Sequence, residues 1–200
     1  IWYAGFGTGQ VGRVTPAGAV TTFPVSAPKA QPFGMATGPD GNVWFAAQAN
    51  RIGRITPAGT VTEFALPTAN SGVADITLAP DGNLWFTEHT GNRIGKITTA
   101  GAIQEFPLPT AGQPYRIAAG PDGNLWFTEF AGNKITRMTP DGRFREYPLP
   151  NARSGAYGIT VGPDAAILAE YLSAAEKERL AAWEPYRSTG RQGQVTYTKG

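Results

Sequence analysis

The sequence predicts an all-β fold of repeated four-stranded sheets, and three observations carry that prediction. Glycine and proline together make up 43 of the 200 residues, about twice ordinary usage. The phrase Gly38-Pro39-Asp40-Gly41-Asn42-Val43-Trp44-Phe45 returns at 79–86 and again at 120–127. Its tryptophans, Trp2, Trp44, Trp85 and Trp126, are spaced 42, 41 and 41 residues apart. A period of 40–45 residues with several short strands per unit is the signature of β-propeller blades.

One unit is read in order as follows. Residues 115–119 form an inner strand, and Pro121-Asp122-Gly123 turns the chain, because Asp-Gly reaches the positive φ values of a tight hairpin. Residues 124–129 form a second strand whose side chains alternate between two faces. A loop at 130–132 leads to a third strand at 133–139. Thr139-Pro140-Asp141-Gly142 makes the next hairpin, 143–148 the outer strand, and the Pro-rich segment 148–155 the crossover to the next blade. Single units cannot bury both faces, so blades are expected to stack with Trp44, Trp85 and Trp126 between them. The Asp-Gly pairs read as turn chemistry rather than calcium ligands, since each Asp stands alone.

A degenerate copy at Gly162–Leu168 puts Leu168 where the next tryptophan would fall. About four blades are therefore expected, with partial units at both ends of residues 1–164. Residues 157–161 and 1–6 look complementary, so the blades are expected as an open arc or as a ring closed by pairing those two segments. From 165 the composition changes: Gly plus Pro falls from 39 of 164 residues to 4 of 36. Ser173-Ala174-Ala175-Glu176 is a capping box and Pro185 a helix stop. A helical tail at about 174–184 is predicted, with an earlier turn through 166–172 and a short strand at 194–198.

Composition excludes several classes. Repeated Gly and Pro are incompatible with helical bundles, and 41% apolar residues argue against disorder. No apolar run reaches the roughly 20 residues that span a bilayer. With no cysteine there is no disulfide framework or thiolate metal site. The net charge is +2, and Arg51, Arg54, Arg93, Lys96, Lys134 and Arg137 recur singly as solvated strand positions, so neither a nucleic-acid nor a membrane partner is expected. Ile1 is not a natural start, and the chain reads as cut from something longer. Function is expected where loops and crossovers from several blades converge, with a small-molecule or peptide ligand as partner. Open blade edges offer a route to self-association.

The repeated phrases, with Asn92-Arg93-Ile94-Gly95-Lys96-Ile97-Thr98 and Glu105-Phe106-Pro107-Leu108-Pro109, closely resemble the streptogramin B lyase (virginiamycin B lyase) family over roughly residues 1–164. That resemblance implies a seven-bladed propeller, a cytoplasmic protein and a magnesium-dependent elimination. The elimination would open a cyclic depsipeptide antibiotic at its ester C–O bond. Composition alone leaves a secreted or periplasmic location equally open.

Such an elimination needs a base to remove the proton α to the ester carbonyl and a stabiliser for enolate-like charge. The resemblance implies a histidine base in a Glu-Pro-His-Gly-Ile phrase at the start of an inner strand, and carboxylates for the metal. Phe33, Ala74, Tyr115 and Tyr157 stand at the matching positions, and Gln31 and Gln113 replace the carboxylate. The catalytic histidines are expected in blades beyond this chain. Within it, His89 and Glu88 are the candidate catalytic pair, and Phe33, Tyr115, Tyr157 and Glu129 the candidate substrate contacts. No metal ligands are assigned.

Overall fold

A computed structural model of the chain describes residues 1–25, 30–151, 154–162, 167–171 and 193–197. Every described element is a β-strand, and the strands form five antiparallel sheets. The first holds β1 (Trp2–Gly5), β2 (Gln10–Val14) and β3 (Val20–Pro24). The second runs β4 (Pro32–Thr37), β5 (Val43–Ala47), β6 (Arg51–Ile55) and β7 (Val61–Ala65). The third comprises β8 (Val73–Leu78), β9 (Leu84–Glu88), β10 (Arg93–Ile97) and β11 (Ile103–Pro107). The fourth comprises β12 (Pro114–Ala119), β13 (Leu125–Glu129), β14 (Lys134–Met138) and β15 (Phe144–Pro148). The last holds β16 (Ala156–Val161), β17 (Ile167–Tyr171) and β18 (Gly193–Tyr197). The chain divides into two compact units, Ile1–Pro107 with β1–β11 and Leu108–Gly200 with β12–β18.

The repeated Asp-Gly turns work as hairpin chemistry. Gly41, Gly82 and Gly123 have φ of 74°, 76° and 77°, a region open to glycine at little cost. The Asp81 carboxylate accepts from the Asn83 amide and from the Trp85 indole at 3.0 and 3.2 Å. Asp40 does the same for Asn42 and Trp44, and Asp122 for Asn124 and Trp126. Burial pushes Asp40 upward, but the hydrogen bonds from Asn42 and Trp44 outweigh it and hold the carboxyl below its ordinary range. Each aspartate thus locks its turn to the tryptophan of the following strand.

In the first unit the sheets stack as expected. Trp44, Ala46 and Ile52 from one sheet pack with Val73, Ile76, Leu84, Phe86 and Ile97 of the next. Phe45, Ala47 and Ile55, on the opposite face, meet Val11 and Val25. Trp44 and Trp85 are wholly buried. Each tryptophan also stacks on its own outer strand, Trp44 on Phe64 at 5.5 Å and Trp85 on Phe106 at 5.4 Å. Arg54 and Lys96 lie over those rings at 5.5 and 5.2 Å, so these cations cover aromatic surface as well as meeting water. In the second unit, Trp126 stacks on Tyr147 and packs with Ile135, Leu149 and Ala156. Lys134 departs from the solvated expectation, being only 9% exposed.

Two expectations are corrected at the end of the chain. The turn expected through 166–172 is corrected over the residues described there: Ile167–Tyr171 is a strand, with Leu168 opposite Thr160 and Thr196. The repeat register prevails there over the shift in composition, because an edge strand such as β16 has a hydrogen-bonding row to satisfy. For the same reason β16 does not serve as the missing inner strand of the first sheet; it pairs with β17, and β1 pairs with β2. The strand expected at 194–198 is β18. The helix expected at 174–184 falls outside the described residues.

Candidate functional site

Each inner strand begins with the same irregularity. Register shifts between Pro32 and Met35, Val73 and Ile76, Pro114 and Ile117, and Ala156 and Ile159. The residue before the strand is left-handed, with φ of 44° at Gln31, 60° at Gly72, 53° at Gln113 and 61° at Gly155. Two glutamines thus occupy backbone that costs a non-glycine residue roughly 1 kcal/mol. A threonine from the second strand satisfies the bulge: Thr87 Oγ accepts from the Asp75 amide at 3.0 Å, and Thr128 Oγ from the Arg116 amide at 3.1 Å. Bulges re-aim side chains beside sites, and Phe33, Ala74, Tyr115 and Tyr157 all lie on these bulged turns.

In the second unit the bulges bring three candidates together. The Tyr115 and Tyr157 rings are 4.8 Å apart, with their hydroxyls 3.3 Å from each other. The Arg116 guanidinium lies 5.6 Å from both ring centres. Tyr115 is buried, while Arg116 and Tyr157 are half-buried. The Thr128 hydroxyl donates to the Tyr157 carbonyl at 3.2 Å, fixing that strand. Arg116 follows the family's histidine position by one residue, and no sequence motif marks it. In the first unit, Phe33 is half-buried and meets Phe6 edge-on at 5.9 Å.

Glu88 and Glu129 close their second strands, and both are wholly buried. Glu129 accepts from Thr136 Oγ at 2.5 Å and faces Lys134 Nζ at 3.4 Å. That ammonium also meets Glu146 at 2.7 Å and Thr110 Oγ at 2.6 Å. Burial nonetheless leaves the Glu129 carboxyl above its ordinary value, against Thr136 and Lys134, whereas the hydrogen bond from Lys134 holds Glu146 below its own. Glu88 lies against Arg93, Ser71 and Glu105. Burial, reinforced by the charge of Glu105, pushes it up to about 7 against the charge of Arg93. His89 leaves the strand half-buried, its amide donating to the Gly72 carbonyl at 3.0 Å.

The burial of these glutamates was legible in one signal. Leu84, Phe86 and Glu88 alternate in phase, which puts the acid on the face of two core residues.

Among the described residues no group of three His, Cys, Asp or Glu side chains is arranged to hold a metal ion.

Comparison with known proteins bears on the fold and the family. The Virginiamycin B lyase family model matches residues 1–181. Virginiamycin B lyase from Staphylococcus aureus is 36% identical, with a TM-score of 0.82 over 87% of this chain and 63% of that one. A catalytically inactive histidine-to-alanine variant of that enzyme, with quinupristin, is 37% identical with the same TM-score over 86% and 62%. A streptogramin B lyase structure is 32% identical, again at 0.82, over 100% and 65%. This chain thus spans slightly less than two thirds of the length of each. No curated protein matches. The five sheets are blades of a β-propeller, and the chain belongs to the virginiamycin B lyase family.

Proposed function

We propose that this chain is a streptogramin B lyase-like propeller segment that binds a cyclic depsipeptide antibiotic without opening it. The observation that carries this reading is the Tyr115–Arg116–Tyr157 cluster at the bulged inner strands. Tyrosine rings offer apolar faces with a polar tip, and a guanidinium offers several donors to ester and amide carbonyls. Together they suit a compact ligand that mixes aromatic side chains with backbone carbonyls. The relative solved with quinupristin supports the ligand class.

Turnover is a separate requirement. The magnesium-dependent elimination implied by family membership takes a proton from the carbon α to the ester carbonyl and expels the ester oxygen. A phenol is a poor base for a carbon-bound proton, and the Tyr115 and Tyr157 hydroxyls share a hydrogen bond with each other. In this reading the base and the charge-stabilising ligands come from blades outside these residues.

The test is to titrate a streptogramin B into the chain with magnesium, following binding by calorimetry and ring opening by mass spectrometry. Saturable binding is expected, weakened tenfold or more by Arg116→Gln or Tyr115→Ala, with no linear product. Linear product formed in proportion to protein would overturn the non-catalytic reading. Unchanged affinity in both variants would overturn the site.

A further inference from the structure

The sheet β12–β15 supplies a template for its neighbour in sequence. There the Lys134 ammonium sits among oxygens of Glu146, Thr110 and Glu129, at 2.7, 2.6 and 3.4 Å. The ammonium hydrogen-bonds Thr110 and forms ion pairs with both carboxylates.

The sheet β8–β11 carries the same oxygen-bearing residues, Glu105, Thr68 and Glu88, in the same relation. Thr68 Oγ donates to Glu105 at 2.5 Å, as Thr110 Oγ donates to Glu146 at 2.9 Å. Arg93 stands opposite Glu88, as Lys134 stands opposite Glu129.

The cation itself is placed differently. The Arg93 side chain is 31% exposed, and its Nε is 3.9 Å from Glu105. A Cβ built on Gly132 would meet Lys134 Cε at 2.9 Å, so the lysine stem fills the space beside that loop. At the equivalent Gly91 the three nearest atoms belong to Glu88 and Ser71, none to Arg93. Glu88 is 0% exposed, and neither of its oxygens has a hydrogen-bond partner. The Ser71 hydroxyl proton goes to the Thr68 carbonyl at 2.6 Å, which leaves the serine oxygen as an acceptor.

We propose that the Glu88 carboxylate, with Ser71, Thr68 and Glu105 around it, binds a small monovalent cation, ammonium or potassium, in the place that the Lys134 ammonium takes in the next sheet. Carboxylate and hydroxyl oxygens suit such hard ions. A buried carboxylate without a partner is otherwise costly. The site is independent of the antibiotic-binding reading, since none of its residues belongs to the tyrosine cluster.

Thermal unfolding of the full chain at pH 8, in ammonium, potassium, sodium or tetramethylammonium chloride at equal ionic strength, tests this. A ligand that binds only the folded state raises the midpoint. Ammonium or potassium is expected to raise it by about 3 °C over tetramethylammonium, and whichever of the two raises it identifies the ion. Arg93→Lys, which brings its own ammonium, is expected to abolish the cation-specific rise, and so is Glu88→Gln. Equal midpoints in all four salts would overturn the proposal. So would a rise that survives undiminished in Arg93→Lys, a variant that retains the charge should Glu88→Gln fail to fold.

Discussion

The sheets β8–β11 and β12–β15 share the phrase Leu-Trp-Phe-Thr-Glu in their second strands and the same register across their partners. They nevertheless treat the final glutamate in opposite ways. Glu129 receives the Thr136 hydroxyl and the Lys134 ammonium. At the matching positions Glu88 finds Gly95, over which the Phe86 ring lies, and Arg93, whose Nε is 3.9 Å from Glu105. The repeat therefore fixes where the carboxylate is, and the residues across the strands fix what charge it can hold. Lysine brings a compact point charge to both glutamates, while the broader arginine fork at its position lies beside Glu105.

The largest way to break the comparison is Lys134→Met. It leaves Glu129 and Glu146 without their shared cation, and removing one partner from a buried pair costs about 3–5 kcal/mol. Urea unfolding at neutral pH should show that loss, and a loss below 1 kcal/mol would mean the ammonium is dispensable.

Next comes pH. The folded Glu88 carboxyl titrates at about 7 against an ordinary value of 4.5. The folded state therefore holds a proton that the unfolded state has released, and stability falls as pH rises through that window. The loss approaches roughly 3 kcal/mol at most. Glu146 acts with the opposite sign, because its lowered value adds stability above its ordinary range that is lost on acidification. Unfolding curves between pH 4.5 and 8 should flatten in Glu88→Gln, and an unaltered pH profile would remove Glu88 as the cause.

A smaller change sharpens the contrast. Ser71 and Gly112 are equivalent, since each carbonyl accepts from the glycine amide of the facing loop, Gly91 and Gly132. A Cβ on Gly112 would meet Glu129 Oε2 at 1.7 Å. Gly112→Ser, which imports the residue of the other sheet, should cost about 2 kcal/mol by overpacking, and equal stability would show that the carboxylate yields. Smallest of all, Tyr115→Phe removes one hydroxyl contact at 3.3 Å and should cost about 1 kcal/mol in the same assay.

Much of the fold was legible because its signals are local. Asp-Gly turns, strand alternation and the tryptophan period each act within a few residues, and the strand limits read from the repeat agree with β12–β15 to within a residue. The site was less legible. Repeat position marks Phe33, Tyr115 and Tyr157, but the pairing of the two tyrosines depends on bulges 42 residues apart. Glutamate is ordinarily exposed, so the burial of Glu88 and Glu129 ran against expectation. Residues 167–171 show the same lesson from the other side, since their composition suggested a helical turn while an unpaired strand edge drew them into a sheet.

By itself, then, the sequence determined the all-β repeat, its turns, its aromatic core positions and its family resemblance. These properties follow from φ preferences and from periodicity, which neighbouring residues settle among themselves. Only the tertiary structure decided that one glutamate is paired and its twin is not, and that Arg116 joins two tyrosines. Charge state and ligand geometry depend on groups that meet across strands and loops, and which side chain reaches inward is settled by packing.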